Sequence, residues 1–203
     1  MRDFIIEVVR STGAWGIGVL MVLENVFPPI PSELVMPLGG YLTAGGTLSF
    51  WPVVIAGSLG SLVGASFWYY IGRRMGKERL AEWAGRHGAW VAMTPDDIER
   101  AAGWFQRHGH ASVFFCRMLP FLRTVISVPA GITGMPLAPF LFYSALGTFA
   151  WTAALTLAGR LLGRQFPEIE NVLGYVSWAI IVAAAAWYVY GVVRVKRVQR
   201  AQG

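Results

Sequence analysis

The chain has 203 residues, of which 55% are hydrophobic and 14% charged, with a formal net charge of +6. A water-soluble domain of this size needs more polar surface than that, so lipid is the natural solvent. The basic residues cluster at segment ends and in one loop, which argues against nucleic acid as a partner, and the single cysteine, Cys116, excludes an internal disulfide.

In chain order, an apolar stretch from Ser11 to Leu23 comes first. It lacks a basic lead-in and a small-residue cleavage site, and Glu24 follows directly, so it reads as retained sequence. Between Arg10 and Arg73 the only charges are Glu24 and Glu33, and between Arg107 and Arg160 they are Arg117 and Arg123. Two uncharged runs follow these pairs, Leu34 to Gly72 with 39 residues and Thr124 to Gly159 with 36. A helical crossing takes about 20 residues at 1.5 Å rise, so each run is too long for one crossing and short for two.

Prolines mark the half-crossing: Pro28, Pro29, Pro31 and Pro37 in the first block, Pro120, Pro129, Pro136 and Pro139 in the second. Proline removes a backbone donor, and a helix broken at membrane depth survives only where protein or water satisfies the freed groups. The expected fold is an all-α integral membrane protein with two re-entrant, proline-broken hairpins, each followed by a transmembrane helix, and a C-terminal transmembrane helix. The chain 1–203 then reads as one membrane domain. Hairpin 1 covers about 13–46, a span 50–72, hairpin 2 about 111–132, and further spans 138–159 and 171–193. Between them, 73–109 mixes acidic, basic and histidine residues, and Thr94-Pro95-Asp96-Asp97 reads as an N-cap, a first-turn proline and an acidic first turn. That segment is a helical, water-facing loop.

The blocks also look like a repeat. Gly72-Arg73 ends one and Gly159-Arg160 the other, and Pro37-x-Gly39 is matched by Pro129-x-Gly131. Inverted repeats of this kind recur in transporters. The loop from Arg73 to Arg107 holds seven lysines and arginines and the tail from Arg194 to Arg200 holds four, so both belong on the cytoplasmic side. That parity requires the second hairpin to re-enter, and if the first does too, the N-terminus lies outside.

Glu24, Glu33, Arg117 and Arg123 carry the chemistry. A charge at the centre of a membrane helix costs about 2.5–3.5 kcal/mol on insertion scales, so four of them call for pairing or wetting. Opposed hairpins would bring them together as a polar cavity with anion-binding arginines and titratable acids. The competing reading is that they snorkel to headgroups or only pin the hairpins together. His108 and His110 have no acid or cysteine at ligand spacing and read as loop residues, so no metal site is expected. Gly57, Gly60 and Gly64 read as a helix-packing stripe, and no nucleophilic triad, phosphate loop or zinc motif is present.

The run Glu24-Asn25-Val26-Phe27-Pro28-Pro29-Ile30-Pro31-Ser32-Glu33, the glycines Gly60 and Gly64, Tyr70 and Gly72-Arg73 resemble the DedA family of bacterial membrane proteins. So do Arg117-Met118-Leu119-Pro120-Phe121-Leu122-Arg123-Thr124 and Pro129-Ala130-Gly131. The resemblance, to a family also grouped with VTT and SNARE-associated proteins, covers nearly the whole chain. It implies a multi-pass flippase of the bacterial cytoplasmic membrane, without enzymatic activity or cofactor, that moves undecaprenyl phosphate in exchange with the proton gradient. Its partners would be an anionic lipid, protons and the bilayer, and the pattern is compatible with a homo-oligomer. By the same resemblance Arg117 and Arg123 bind substrate and Glu24 and Glu33 couple protons. Pro28, Pro29, Pro31, Pro120, Pro129 and Gly131 break the hairpins. Transport of phosphatidylethanolamine or another phospholipid is the nearest alternative, and a proton-coupled ion or drug antiporter is a further one. Many members carry an acid where Ala65 stands here, so any role of that acid is absent or met elsewhere.

Overall fold

The computed structural model describes residues 12–26, 32–91, 94–119, 122–165, 182, 186 and 189–195. Every element among them is helical. The first hairpin consists of α1 (Ala14–Val26) and α2 (Ser32–Ala44), followed by the long α3 (Phe50–Val91). Then come α4 (Pro95–His108), the broken series α5 (Ala111–Arg117), α6 (Leu122–Val125) and α7 (Ser127–Ile132), and the second long helix α8 (Leu137–Gln165).

Two helices, Phe50–Trp83 and Leu137–Leu162, are long and apolar enough to cross a membrane. Their exposed faces are the apolar ones. On α3, Trp51, Ile55, Leu59, Val63 and Phe67 recur every fourth residue and face outward, while Ser61 is buried. On α8, Phe142, Leu146, Phe149, Leu157 and Leu161 are exposed, and Ser144, Thr148, Thr152 and Thr156 are buried. A soluble bundle buries its apolar stripe, and the reverse arrangement is that of a bundle whose solvent is hydrocarbon.

The span expected at 50–72 belongs to a longer helix. α3 runs past Gly72 to Gly76, where φ of 68° breaks it, and continues to Val91. Arg73 and Arg74 therefore lie on the helix that crosses, carried to its end like snorkelling anchors. The loop is helical as expected. Thr94 caps α4, its hydroxyl accepting from the Asp97 backbone N–H while the Asp97 carboxylate accepts from the Thr94 N–H, and Pro95 opens the helix. The Asp97 carboxylate also pairs with Arg194 at 3.3 Å, so the loop and the start of the tail lie on one side, as the placement of basic residues requires. Most of the span expected at 171–193 falls outside the described residues.

α1 is described to Val26 and α2 from Ser32, and Pro28, Pro29 and Pro31, like Pro120, lie outside the described residues. In the second hairpin the chain leaves helix after Arg117 and turns again at Ile126. Two prolines behave differently from expectation. Pro37 lies inside α2, and Pro129 is buried in the first turn of α7, where its missing N–H costs nothing, so neither ends a helix.

The packing is reciprocal. α1 runs alongside α3 in the same direction, with Gly18 against Ala56 and Gly60, and Asn25 against Gly64. α2 returns antiparallel to α3, with Met36 beside Gly57 and Val53 beside Gly39, so α1 begins and α2 ends at the same end of α3. α2 then crosses the other long helix, where Gly159 meets the Pro37 backbone and Gly40 meets Thr156 and Arg160. In mirror fashion α5 packs on its own long helix through Gly147 against Phe114 and Arg117, while α7 crosses α3, Gly72 against Val128 and Ile132 and Gly131 against Tyr69 and Arg73. Each hairpin thus lays its first helix on its own long helix and its second on the other's. The matched ends Gly72-Arg73 and Gly159-Arg160 are the two crossing points. Only glycine lets backbones approach this closely.

Alanine at Gly131 or Gly159 would drive a Cβ into opposing backbone, and each should lower thermal stability in detergent by the equivalent of about 1–3 kcal/mol. Gly103, in α4, has open space where its Cβ would lie, so alanine there should be neutral or stabilising by up to about 1 kcal/mol. Asp97 yields a pH prediction. Burial raises its titration, but the Thr94 hydrogen bonds and the Arg194 charge more than offset this, holding the carboxyl below its ordinary 3.8. A depressed carboxyl stabilises fully above its unfolded value and loses that stabilisation as pH falls through the folded one. Melting curves of the parent and of Asp97→Asn should therefore differ at pH 7 and converge as the pH drops below about 4.

Candidate functional site

The two broken tips meet. Glu24 and Arg123, 5% and 4% exposed, form an ion pair through Arg123 Nη2 and Glu24 Oε1. They lie 99 residues apart, so the pair joins the end of α1 to the short α6. Neighbours hold the acid in place. Asn25 Nδ2 donates to Glu24 Oε2 at 3.0 Å and to the Met21 carbonyl at 3.0 Å, and Trp68 Nε1 donates to the Asn25 carbonyl at 2.8 Å. Both carboxylate oxygens are occupied, as a buried charge requires.

Arg117, 2% exposed, is held otherwise. Its Nη2 donates to Ser127 Oγ at 2.9 Å and its guanidinium lies 5.8 Å from the Phe140 ring centre, while its Nε has no hydrogen-bond partner among the described residues. Phe140 stacks on Tyr69 at 4.4 Å. The Tyr69 hydroxyl donates to the Met135 carbonyl at 2.5 Å, and Arg73 donates to both oxygens, at 2.5 and 3.1 Å. This stack ties the base of hairpin 2 to the end of α3.

Of the four charges singled out in the sequence, Glu24 and Arg123 are brought into contact. Arg117 lies in the same broken hairpin with its described hydrogen bond to Ser127, and Glu33 is half-buried in the first turn of α2, where the helix dipole favours an acid. Sequence reasoning missed Ser127, Tyr69, Phe140 and Trp68 as supports. Ser127 lies within the expected second hairpin, 111–132, but the three aromatics carried no signal that set them apart from the other aromatic residues. Cys116 is buried beside Arg117, as a packing residue would be. His108 stacks on Trp104 at 4.4 Å, and no group of three or more metal-ligating side chains lies together among the described residues.

The VTT domain matches residues 30–161, which hold α2, α3, the whole second hairpin and α8 up to Leu161. The chain belongs to the DedA family of VTT-domain membrane proteins. An undecaprenyl phosphate transporter A of Staphylococcus aureus is 34% identical over 191 residues, covering 93% of this chain and 94% of the relative. The protein of the same name in Bacillus subtilis is 32% identical, over 91% and 89%. A Lactococcus lactis subsp. cremoris relative, called an alkaline phosphatase-like protein, is 37% identical, over 94% and 90%. No solved structure matches. Within this DedA chain the glutamate of the Glu24-Asn25 motif and the second arginine of hairpin 2 are one another's counter-ions.

Removing one member of a buried pair leaves the other charge uncompensated, at a cost of about 3–5 kcal/mol. Glu24→Gln and Arg123→Gln should each lower the melting temperature in detergent, and the double variant should melt above the sum of the two losses. Additive losses would mean that the pair contributes no coupling.

Proposed function

We propose that this protein is a flippase that carries undecaprenyl phosphate across the bacterial cytoplasmic membrane, coupled to proton movement. The buried Glu24–Arg123 pair carries the reading, because it is a neutral stand-in for an arginine–phosphate pair. Arginine presents a planar fork that binds carboxylate and phosphate alike. While Glu24 is ionised it occupies Arg123; once protonated it loses its hold, and Arg123 is free for a phosphate oxygen. Proton uptake and phosphate binding are then linked by competition for one guanidinium. Arg117, anchored to Ser127, supplies the second grip, and Glu33 is the second proton site.

The packing supports a membrane arrangement for this cycle. With the long helices spanning, α1 enters from the end where α3 starts and α2 returns to it, so hairpin 1 re-enters from that side. Hairpin 2 re-enters from the loop side, which the basic residues mark as cytoplasmic. The tips meet inside, and the glycine crossings let one unit rock against the other. The names of the Staphylococcus and Bacillus relatives favour undecaprenyl phosphate as the lipid.

Proteoliposomes holding undecaprenyl phosphate, or phosphatidylethanolamine in parallel, test this with and without an imposed pH gradient. Undecaprenyl phosphate should move and phosphatidylethanolamine should not. Arg117→Lys and Arg123→Lys keep the charge but lose the fork, so transport should fall about tenfold, the equivalent of about 1.4 kcal/mol. Glu24→Gln cannot take up a proton, and its residual transport should ignore the gradient. Normal transport by the lysine variants would reduce the arginines to structural ion pairs. Release of inorganic phosphate from the lipid would point to hydrolysis instead.

A further inference from the structure

Along one face of α8, Ser144, Thr148, Thr152 and Thr156 recur every fourth residue, all buried, and face the serines of α3. Ser58 Oγ and Thr152 Oγ1 lie 2.8 Å apart across the seam. Hydroxyls at the Thr156 end are satisfied locally: Thr156 donates to the Thr152 carbonyl at 2.7 Å and Ser58 to the Val54 carbonyl at 2.7 Å. Other polar atoms along these helices are not. Ser61 Oγ, Ser144 Oγ, Trp151 Nε1 and Arg117 Nε are buried with no hydrogen-bond partner among the described residues.

These four atoms are carried by α3, α5 and α8, and both α3 and α5 pack on α8. Ser144 and Trp151 flank Gly147, whose Cα packs against Phe114 and Arg117 of α5. Ser61 is one turn beyond Ser58, whose partner Thr152 follows Trp151. Burying an unpaired polar group costs about 1–3 kcal/mol, and four at one junction are not tolerated in a packed protein. Arg117 Nε and Trp151 Nε1 are donors only, whereas the hydroxyls donate and accept, so the missing partner must accept at one point and donate at another. Water does both, and a polar site enclosed by protein is where buried water is found.

We propose that water fills the junction of α3, α5 and α8 and continues the hydroxyl ladder into a hydrogen-bonded file. It runs from the level of the Glu24–Arg123 pair toward Thr156, and serves as the path by which protons reach Glu24 from the side opposite the loop. From Ser144 to Thr156 the ladder covers about 18 Å, more than half of a hydrocarbon core of about 30 Å. Each hop adds a proton to one oxygen and removes another from it, so the hydroxyls are left unchanged and only Glu24 gains. The water file stands on the unpaired atoms alone; its use by protons rests on the proton coupling proposed above.

Two measurements separate these layers. In a Cys116→Ser background, Ser61→Cys and Ser144→Cys are near-isosteric and should react with 2-aminoethyl methanethiosulfonate, because a thiolate forms only where water reaches. Lipid-facing Val63→Cys, 59% exposed on the outer face of α3, is the dry control. Seam cysteines reacting at least tenfold faster than Val63→Cys support the file, and equal or slower reaction overturns it. In proteoliposomes the double variant Ser61→Ala, Ser144→Ala should lose about tenfold of the gradient-driven lipid movement while movement without a gradient is unchanged. Unaltered gradient-driven movement overturns the relay even if the cysteines react. If the parent itself ignores the gradient, the proton coupling fails and the relay with it, and labelling alone then decides the water file.

Discussion

Everything in this fold answers to the cost of an unpaired charge away from water. Glu24 and Arg123 are each buried almost completely, and either alone would be expelled or neutralised. Paired, they cancel, and because they come from different hairpins their attraction is a tertiary constraint. It fixes the two broken tips against each other. The rest of the bundle holds those tips in place: Trp68 on the Asn25 carbonyl, Ser127 under Arg117, and the Phe140–Tyr69–Arg73 stack at the base of hairpin 2.

Buried pairs in general add little net stability, since desolvation consumes most of the Coulomb gain. In the proposed transport cycle the pair acts as a switch instead, because one proton on Glu24 neutralises it. The glycine crossings matter for the same reason. Gly72 with α7 and Gly159 with α2 are close backbone contacts, and these interfaces join the two units.

The reversal of polarity in the bundle has the same origin. With lipid outside there is no hydrophobic driving force to sort the long helices, so packing and hydrogen bonds do so. Hence Ser144, Thr148, Thr152 and Thr156 of α8 turn inward and Phe142, Leu146, Phe149, Leu157 and Leu161 outward.

Much of this was legible in the sequence. The charge spacing and the long neutral runs determined the membrane class, because the cost of a charge in hydrocarbon depends on residue type and not on partners. Thr94 with Asp97 placed the α4 cap, because caps are decided within a few residues. Pro129 misled for a local reason: a proline breaks a helix only where its N–H would have been needed, and the first turn of α7 does not need it, whereas Pro37 stands inside α2 without ending it. What the sequence could not decide was which acid meets which arginine, that α2 crosses α8, and that Tyr69 is a buried support while Tyr70 faces outward. Those depend on contacts between residues 66 to 122 positions apart. Composition and spacing are blind to such pairings, and only the closed bundle, which brings both tips to one depth, decides them.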